Sequence, residues 1–166
     1  MFTSIEGNNC LMLIVGQRIN AQNVTKEQAS TFDEVIKTSK TGDLNFDWGE
    51  DYFITNSIYP WKECPKIVIG RVLYDNWLVL NARKRQHTTI DATKILLALH
   101  QTTRAGNDEG RGHPNSNYNG ALLRKLYMNI HYRAGRTSCT TYCTSYKTFH
   151  KLQIRTRVVP RNCFPN

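Results

Sequence analysis

The chain has 166 residues, of which 40% are hydrophobic and 21% are charged, and its formal net charge is +9 at pH 7. These proportions are close to those of globular domains, so they exclude wholesale disorder, a collagen-like repeat and a coiled coil. The longest apolar run, residues 10–15, is far shorter than the roughly 20 residues that a membrane-spanning helix needs, so we expect one domain over residues 1–166 and no membrane partner.

The first predicted elements are a strand and a helix. Residues 10–15 form an apolar run closed by Gly16, which is typical of a central strand covered on both faces. Thr25 and Gln28 have the spacing of a capping box, and apolar residues then recur at helical intervals until Gly42. The sequence therefore predicts a helix over residues 26–39.

The next thirty residues have the composition of strands. Segments 51–59 and 66–74 are rich in aromatic and β-branched residues, which favour extended structure. The pair Asp75-Asn76 separates two short apolar runs, residues 71–74 and 77–80. That arrangement predicts a tight hairpin with its turn at the pair.

Two more helices are predicted in the second half. Thr88 and Asp91 form a second capping pattern, and apolar residues at helical spacing predict a helix from residue 88 to about residue 103. Residues 104–117 are rich in glycine and asparagine, so we expect a loop there. A third helix is predicted over residues 118–131 and ends before Gly135.

The last thirty residues predict a β-hairpin. Residues 151–158 alternate, so Leu152, Ile154 and Val158 are expected to point inward. The partner strand is expected over residues 137–146. Taken in order, these elements predict an α+β fold: a single mixed domain with a largely antiparallel sheet, two or three helices and a C-terminal β-hairpin.

Charge divides the chain into an acidic and a basic half. Residues 1–82 hold 7 Lys and Arg against 10 Asp and Glu, whereas residues 83–166 hold 15 against 3. Such an asymmetry indicates a polyanionic partner, and nucleic acid is favoured because no lipidation motif accompanies the basic residues. The alternative is that the excess cations only keep the surface soluble.

The predicted hairpin is the leading candidate for a nucleic-acid site. We expect Tyr142 and Tyr146 to share a face with basic residues, so that rings stack on bases and cations contact phosphates. The alternative is that both tyrosines fill the core. The cations assigned to this interface are Lys151, Arg155 and Arg157, joined by Arg124 and Lys125 on the outer side of the third helix.

A second candidate site is the glycine-rich loop. Arg111, Gly112 and His113 precede Asn117, a predicted N-cap, and the start of a helix presents N–H groups to anions. A phosphate group fits such a site. The alternative is a plain connecting loop, because the segment matches no established phosphate-binding motif.

Catalysis is the less favoured reading. A metal-independent phosphodiesterase or ribonuclease needs an acid and a base with pKa values near neutrality, and histidines in the basic half suit that role. The weak candidates are His87, His113 and His131. No spacing singles out a pair, so the sequence does not establish an enzyme.

The cysteines and the acidic residues predict neither a metal nor a cofactor. Five cysteines without an export signal argue against a disulfide framework. Cys139 and Cys143 on one strand would lie about 13 Å apart, too far for two zinc ligands. The acidic cluster Asp43, Asp47, Glu50 and Asp51 matches no calcium loop, so we expect a solvated patch there.

Three hypotheses follow in order of preference. The first is a nucleic-acid-binding protein for RNA or single-stranded DNA, the second a small phosphodiesterase, and the third a self-associating interaction module whose halves attract each other's charge. The first fifteen residues contain Glu6 and no lysine or arginine, unlike a secretory signal. The sequence therefore predicts a cytoplasmic protein and leaves the nucleus open as an alternative.

Overall fold

The computed structural model describes residues 10–102, 112–127, 132–147 and 151–164. Within these ranges the chain forms three α-helices: α1 (Phe32–Ser39), α2 (Tyr74–Lys84) and α3 (Tyr118–Tyr127). It also forms eight strands: β1 (Met12–Gln17), β2 (Ile19–Gln22), β3 (Asp43–Leu44), β4 (Glu50–Thr55), β5 (Thr88–Asp91), β6 (Leu99–Thr102), β7 (Tyr142–Lys147) and β8 (Lys151–Thr156).

The strands form two mixed sheets, ordered β4-β1-β5-β7-β8 and β3-β2-β6. The pairs β1–β4, β2–β3 and β7–β8 are antiparallel, whereas β1–β5, β5–β7 and β2–β6 are parallel. The predicted α+β class and the C-terminal hairpin are confirmed. The pairing is mixed rather than largely antiparallel because β5 lies between β1 and β7 and runs parallel to both.

The apolar run near the start of the chain forms an interior strand of the larger sheet, between β4 and β5. Leu13 and Val15 on β1 are fully buried and pack against α2, together with Phe53 on β4. Ile14 on the opposite face of β1 is only partly buried. The prediction of a central strand is therefore confirmed, with the deeper burial on the side of the sheet that α2 covers.

The helix predicted over residues 26–39 is divided in two. Thr25 and Gln28 do form the reciprocal capping box, at 2.9 Å and 3.3 Å, but the turn that it caps is a short 3-10 helix, Glu27–Ala29. The chain then becomes extended at Thr31, whose side chain accepts a hydrogen bond from the Glu34 N–H and starts α1. The N-cap at Thr31 thus starts a new helix, and the predicted helix is interrupted between Ala29 and Phe32.

The hairpin predicted around Asp75-Asn76 is wrong, because residues from Tyr74 onward form α2. The strand predicted over residues 66–74 is also wrong, because residues 66–73 form turns and irregular structure. The chain turns into this helix at Leu73, whose φ of 76° is left-handed. Four consecutive apolar residues follow from Trp77, and all are buried. A short run of this kind looks the same in a buried strand and a buried helix.

The helix predicted over residues 88–103 is also wrong. Thr88–Asp91 is β5 and Leu99–Thr102 is β6. The capping pattern was misleading because Thr88, Thr89 and Ile90 are β-branched, and such side chains pack well on a pleated sheet. Their backbone pairs with β1, which contributes to the parallel part of the larger sheet.

The third helix and the hairpin are present, but the hairpin strands differ from the prediction in their bounds and in which side chains are exposed. α3 is described over Tyr118–Tyr127, and the rest of the predicted helix, residues 128–131, lies outside the described ranges. β7 begins only at Tyr142, since Thr137–Cys139 forms a 3-10 turn. Leu152 and Ile154 were expected to point inward but are 40% and 49% exposed, because β8 is the edge strand of the sheet.

Two further features bear on the sequence-based expectations. Cys139 and Cys163 form a disulfide, so the expectation that cysteines stay unpaired is wrong for these two. Arg83 on α2 supports the same region by donating hydrogen bonds to the Ala134 and Cys163 carbonyl oxygens at 2.6 Å and 3.0 Å.

In the part of the chain that the structure describes, no helix is long and apolar enough to cross a bilayer.

The contact between α2 and the 3-10 helix Tyr132–Gly135 predicts a strict requirement for glycine. A Cβ atom added at Gly135 would lie 1.9 Å from the Asn76 carbonyl oxygen, so the two backbones have to separate. We expect Gly135→Ala to lower the free energy of unfolding by about 1 to 3 kcal/mol or more, measured by urea denaturation.

Gly112→Ala is the matched control, because no atom of the described residues lies within 4 Å of a Cβ atom added there. Its midpoint should stay close to that of the parent protein. Equal stability of the two variants would show that α2 and Tyr132–Gly135 do not approach this closely.

Candidate functional site

The start of α2 and the start of β4 border a cleft of about 990 Å³. Its walls bring together residues from the acidic half and from the segment that follows α3. The charged and aromatic side chains among its lining residues are Arg18, Arg71, Arg133, Arg136, Glu50, Asp51, Asp75, Phe46, Trp48, Phe53 and Tyr74.

Glu50 is the buried carboxyl group of this cleft. It is only 6% exposed, and its Oε1 atom has no hydrogen-bond partner among the described residues. Burial raises the pKa of Glu50 well above 4.5, and the Asp75 carboxylate acts in the same direction. The surroundings therefore favour the neutral, protonated form.

The Asn76 side chain on α2 forms hydrogen bonds with the start of β4 and with the 3-10 helix Tyr132–Gly135. This residue is 3% exposed, and its Nδ2 atom lies 3.1 Å from the Trp48 carbonyl oxygen, 3.4 Å from Glu50 Oε2 and 3.3 Å from the Gly135 carbonyl oxygen. A buried amide needs such acceptors, since leaving its hydrogens unpaired is costly. The first turn of α2 is thereby fixed against β4 and the 3-10 helix Tyr132–Gly135.

Asp75 is a second carboxyl group with an altered titration. Burial raises its pKa to about 6, although the N–H of Asn76 donates a hydrogen bond to Oδ1 at 2.9 Å and opposes that shift. Asp75 therefore changes charge close to neutral pH, where an ordinary aspartate is fully ionised.

The arginines are held partly by ion pairs with other acidic residues. Arg18 lies 3.0 Å from Asp51, which also lies 3.4 Å from His100 Nδ1. Arg136 lies 3.7 Å from Asp47. These pairs keep guanidinium groups at the cleft wall in defined positions and reduce their conformational freedom.

Two exposed rings complete the cleft. Phe46 and Trp48 are stacked, with centroids 4.6 Å apart and planes inclined by 17°, although they are 65% and 41% exposed. The Arg136 guanidinium lies over the Trp48 ring, 5.4 Å from its centroid. A flat aromatic surface beside a cation suits a ligand that has both a ring and a negative charge.

The residues predicted to form the hairpin interface do not share one face. Tyr142 pairs with Thr156 and Tyr146 with Leu152, so the tyrosines lie on the side of Leu152 and Ile154. Lys151 and Arg155 pair with Lys147 and Cys143 on the opposite side. The predicted combination of rings and cations on one surface is therefore wrong.

Arg157 also differs from its predicted role as an outward cation. It donates hydrogen bonds to the Thr137 carbonyl oxygen at 2.5 Å and to Thr140 Oγ1 at 3.2 Å, and it pairs with Asp91 at 2.8 Å. The side chain is 21% exposed. Arg157 thus fastens the end of the hairpin to β5, whereas Arg155 is exposed and contacts Gln153.

The other predicted basic and loop residues lie outside the cleft lining. Arg124 and Lys125 are exposed on α3, as predicted. Gly112 and His113 are exposed as well, and His113 Nδ1 accepts a hydrogen bond from the Asn115 N–H at 3.0 Å. Arg111 lies outside the described residues, so the predicted anion-binding loop stays a prediction.

The candidate catalytic histidines are not gathered at one described site. His87 follows the end of α2 and packs against Tyr59, with ring centroids 5.7 Å apart, and burial lowers its pKa. His113 is exposed ahead of α3, and His131 lies outside the described ranges. Among described residues, no group of three or more His, Cys, Asp or Glu is arranged to hold a metal ion.

Sequence reasoning missed the cleft because it depends on contacts between distant segments. Asp75 and Asn76 were assigned to a turn, and Glu50 was assigned to a solvated acidic patch. The one available signal was the spacing of aromatic and acidic residues from Phe46 to Asp51, which is dense for a surface loop. No protein-family profile matches the chain, and comparison with curated proteins and solved structures gives no significant similarity.

The contrast between the two hairpin arginines gives a prediction. Arg157→Gln should lower the free energy of unfolding by about 2 to 4 kcal/mol, because it leaves Asp91 half-buried without its cation and removes charged hydrogen bonds. Arg155→Gln should change stability by less than about 0.5 kcal/mol, as exposed substitutions usually do.

Chemical denaturation of both variants in the same buffer measures this difference. Equal stability of the two would mean that Arg157 is a surface cation, as the alternation of residues 151–158 suggested.

Proposed function

We propose that this protein binds nucleotide units, free or within single-stranded nucleic acid, in the cleft at the start of α2. The observation that carries the proposal is the exposed Phe46–Trp48 stack with Arg136 over Trp48. A base stacks on such rings, and the adjacent guanidinium groups contact phosphate oxygens.

The charge of the cleft supports an anionic ligand. Four arginines line it, against Asp51, Asp75 and Glu50, and burial raises the pKa of Glu50 well above 4.5. Because Asp75 has a pKa of about 6, the excess of positive charge grows as the solution becomes mildly acidic. Guanidinium groups bind phosphates through two parallel hydrogen bonds, which favours a phosphate group over a spherical anion such as chloride.

The proposal keeps the predicted ligand class and moves the site. The basic half still contributes Arg133 and Arg136, but Phe46, Trp48, Arg18 and Arg71 come from the acidic half. The hairpin lacks a shared face of rings and cations, so it no longer supports stacking and phosphate contacts on one surface. Cytoplasmic location stays a prediction, and the Cys139–Cys163 disulfide is more typical of oxidising compartments.

Binding of an oligo-thymidylate of about ten nucleotides, a length within the range of single-strand sites, tests the proposal by fluorescence polarisation. Phe46→Ala should weaken binding by about five- to a hundredfold, because stacking contributes about 1 to 3 kcal/mol per base. Arg133→Gln should weaken binding and flatten its salt dependence, since fewer counterions are released.

The matched controls are Tyr146→Ala and Arg155→Gln, an exposed ring and an exposed cation on the hairpin. Both should bind like the parent protein. Loss of binding in the hairpin variants alone would return the site to the predicted interface. A thymidine dinucleotide that competes as well per site as the longer oligonucleotide would indicate a nucleotide site rather than a strand-binding groove.

A further inference from the structure

We propose that Glu50 is a neutral hydrogen-bond donor that holds a phosphodiester oxygen in the cleft, so that ligand affinity falls as the pH rises. This inference rests on the proposed function, because it identifies the part of the nucleotide that lies at the carboxyl group. Through this one side chain, the affinity of the cleft for its ligand would depend on pH.

The position of the carboxyl group is the first argument. Glu50 lines the cleft and is only 6% exposed, yet Oε1 has no partner within the described part of the chain. Oε2 accepts a hydrogen bond from Asn76, so the proton belongs on Oε1. Because Oε1 is buried in the protein without ligand, binding has to move the Glu50 side chain so that this atom reaches the ligand.

The surroundings keep the group neutral. Three carboxylates from separate segments act on Glu50 in the same direction: Asp75 on α2, Asp47 between β3 and β4, and Asp91 on β5. Two of these are partly neutralised, since Arg136 lies 3.7 Å from Asp47 and Arg157 lies 2.8 Å from Asp91. Burial opposes ionisation more strongly than these carboxylates do.

A phosphodiester is the ligand group that best suits a neutral acid among arginines. Its oxygens only accept hydrogen bonds, so they take the Oε1 proton and the guanidinium protons together. An ionised Glu50 would have no proton to donate and would repel the phosphate at short range. The same contact should therefore raise the pKa of Glu50 further when the ligand binds.

Glu50→Gln keeps a hydrogen-bond donor at this position and removes the pH-dependent charge, because the amide stays neutral at every pH. The probe is a thymidine dinucleotide, whose phosphodiester does not titrate between about pH 5.5 and pH 8.5. Asp75 changes charge within this range, as an ordinary histidine does, so the informative quantity is the difference between Glu50→Gln and the parent protein. Affinity is measured from the fluorescence of the protein at both ends of this range, with circular dichroism to verify folding.

The parent protein should lose roughly tenfold or more of its affinity between the acidic and the basic end, the amount expected for one charged hydrogen bond. Glu50→Gln should match the parent at the acidic end and lose less affinity than the parent towards the basic end, because only the loss that is due to Asp75, whose pKa is about 6, remains. Asp75→Asn is the control for the neighbouring carboxyl group, and it should retain the fall that is due to Glu50.

The outcomes distinguish the inference from the proposed function. An equal fall in the parent protein and in folded Glu50→Gln would overturn the role of Glu50 while nucleotide binding stands. Weak binding by folded Glu50→Gln at the acidic end would also overturn it, since a donor alone would then be insufficient. Absence of binding by the parent protein at either pH would refute the proposed function itself.

If Glu50→Gln does not fold, calorimetry on the parent protein tests the same inference. Binding is measured at several values from about pH 7 to about pH 9, all above the pKa of Asp75, in two buffers of different ionisation enthalpy. We expect proton uptake on binding of the dinucleotide at the pH values where its affinity falls, because there the ligand favours protonated Glu50. Binding without proton uptake at every one of these pH values would overturn the inference.

Discussion

The Asn76 amide is the contact on which the rest of this structure depends. Its Nδ2 atom reaches the backbone of the Trp48 segment, the Glu50 carboxyl group and the backbone of Gly135. Trp48 and Glu50 belong to one segment and Gly135 to another that is distant in sequence, and the two segments meet at the first turn of α2. Because a buried amide is costly without acceptors, these two segments and the helix stabilise one another. The cleft and its buried acid follow from this arrangement.

The fold was predictable where one local pattern had a single interpretation. The apolar run before Gly16 indicated the central strand, and the clean alternation after Lys151 indicated β8. Prediction failed where the pattern was ambiguous. Trp77 and its apolar neighbours suit a buried helix and a buried strand equally, and only the left-handed turn at Leu73 and the packing around α2 decide between them.

Strand pairing was the second limit of sequence reasoning. Alternation fixes which residues share a face within one strand, but the register between strands is set by the turn and the neighbouring sheet. β7 and β8 pair so that Tyr146 faces Leu152 rather than the cations. Arg157 looked like a solvated cation because its partner Asp91 lies on β5, a strand that the sequence assigned to a helix.

Charge totals along the sequence did not indicate the cleft. The basic half contains most of the positive charge, yet the described cleft draws on both halves and includes a carboxyl group whose pKa burial raises well above 4.5. A count at neutral pH treats Glu50 as negative. The burial that changes its charge depends on α2, on the Gly135 contact and on β4, none of which is visible in composition.

The central claim is that folding keeps Glu50 protonated in the cleft, and carboxyl carbon NMR tests it most directly. The side-chain carbon of each glutamate is followed from acid to alkaline pH, and the Glu50 signal is identified by its absence in Glu50→Gln. The account predicts a Glu50 midpoint well above 4.5. A midpoint near 4.5 would contradict it, because the carboxyl group would then be an ordinary anion at neutral pH.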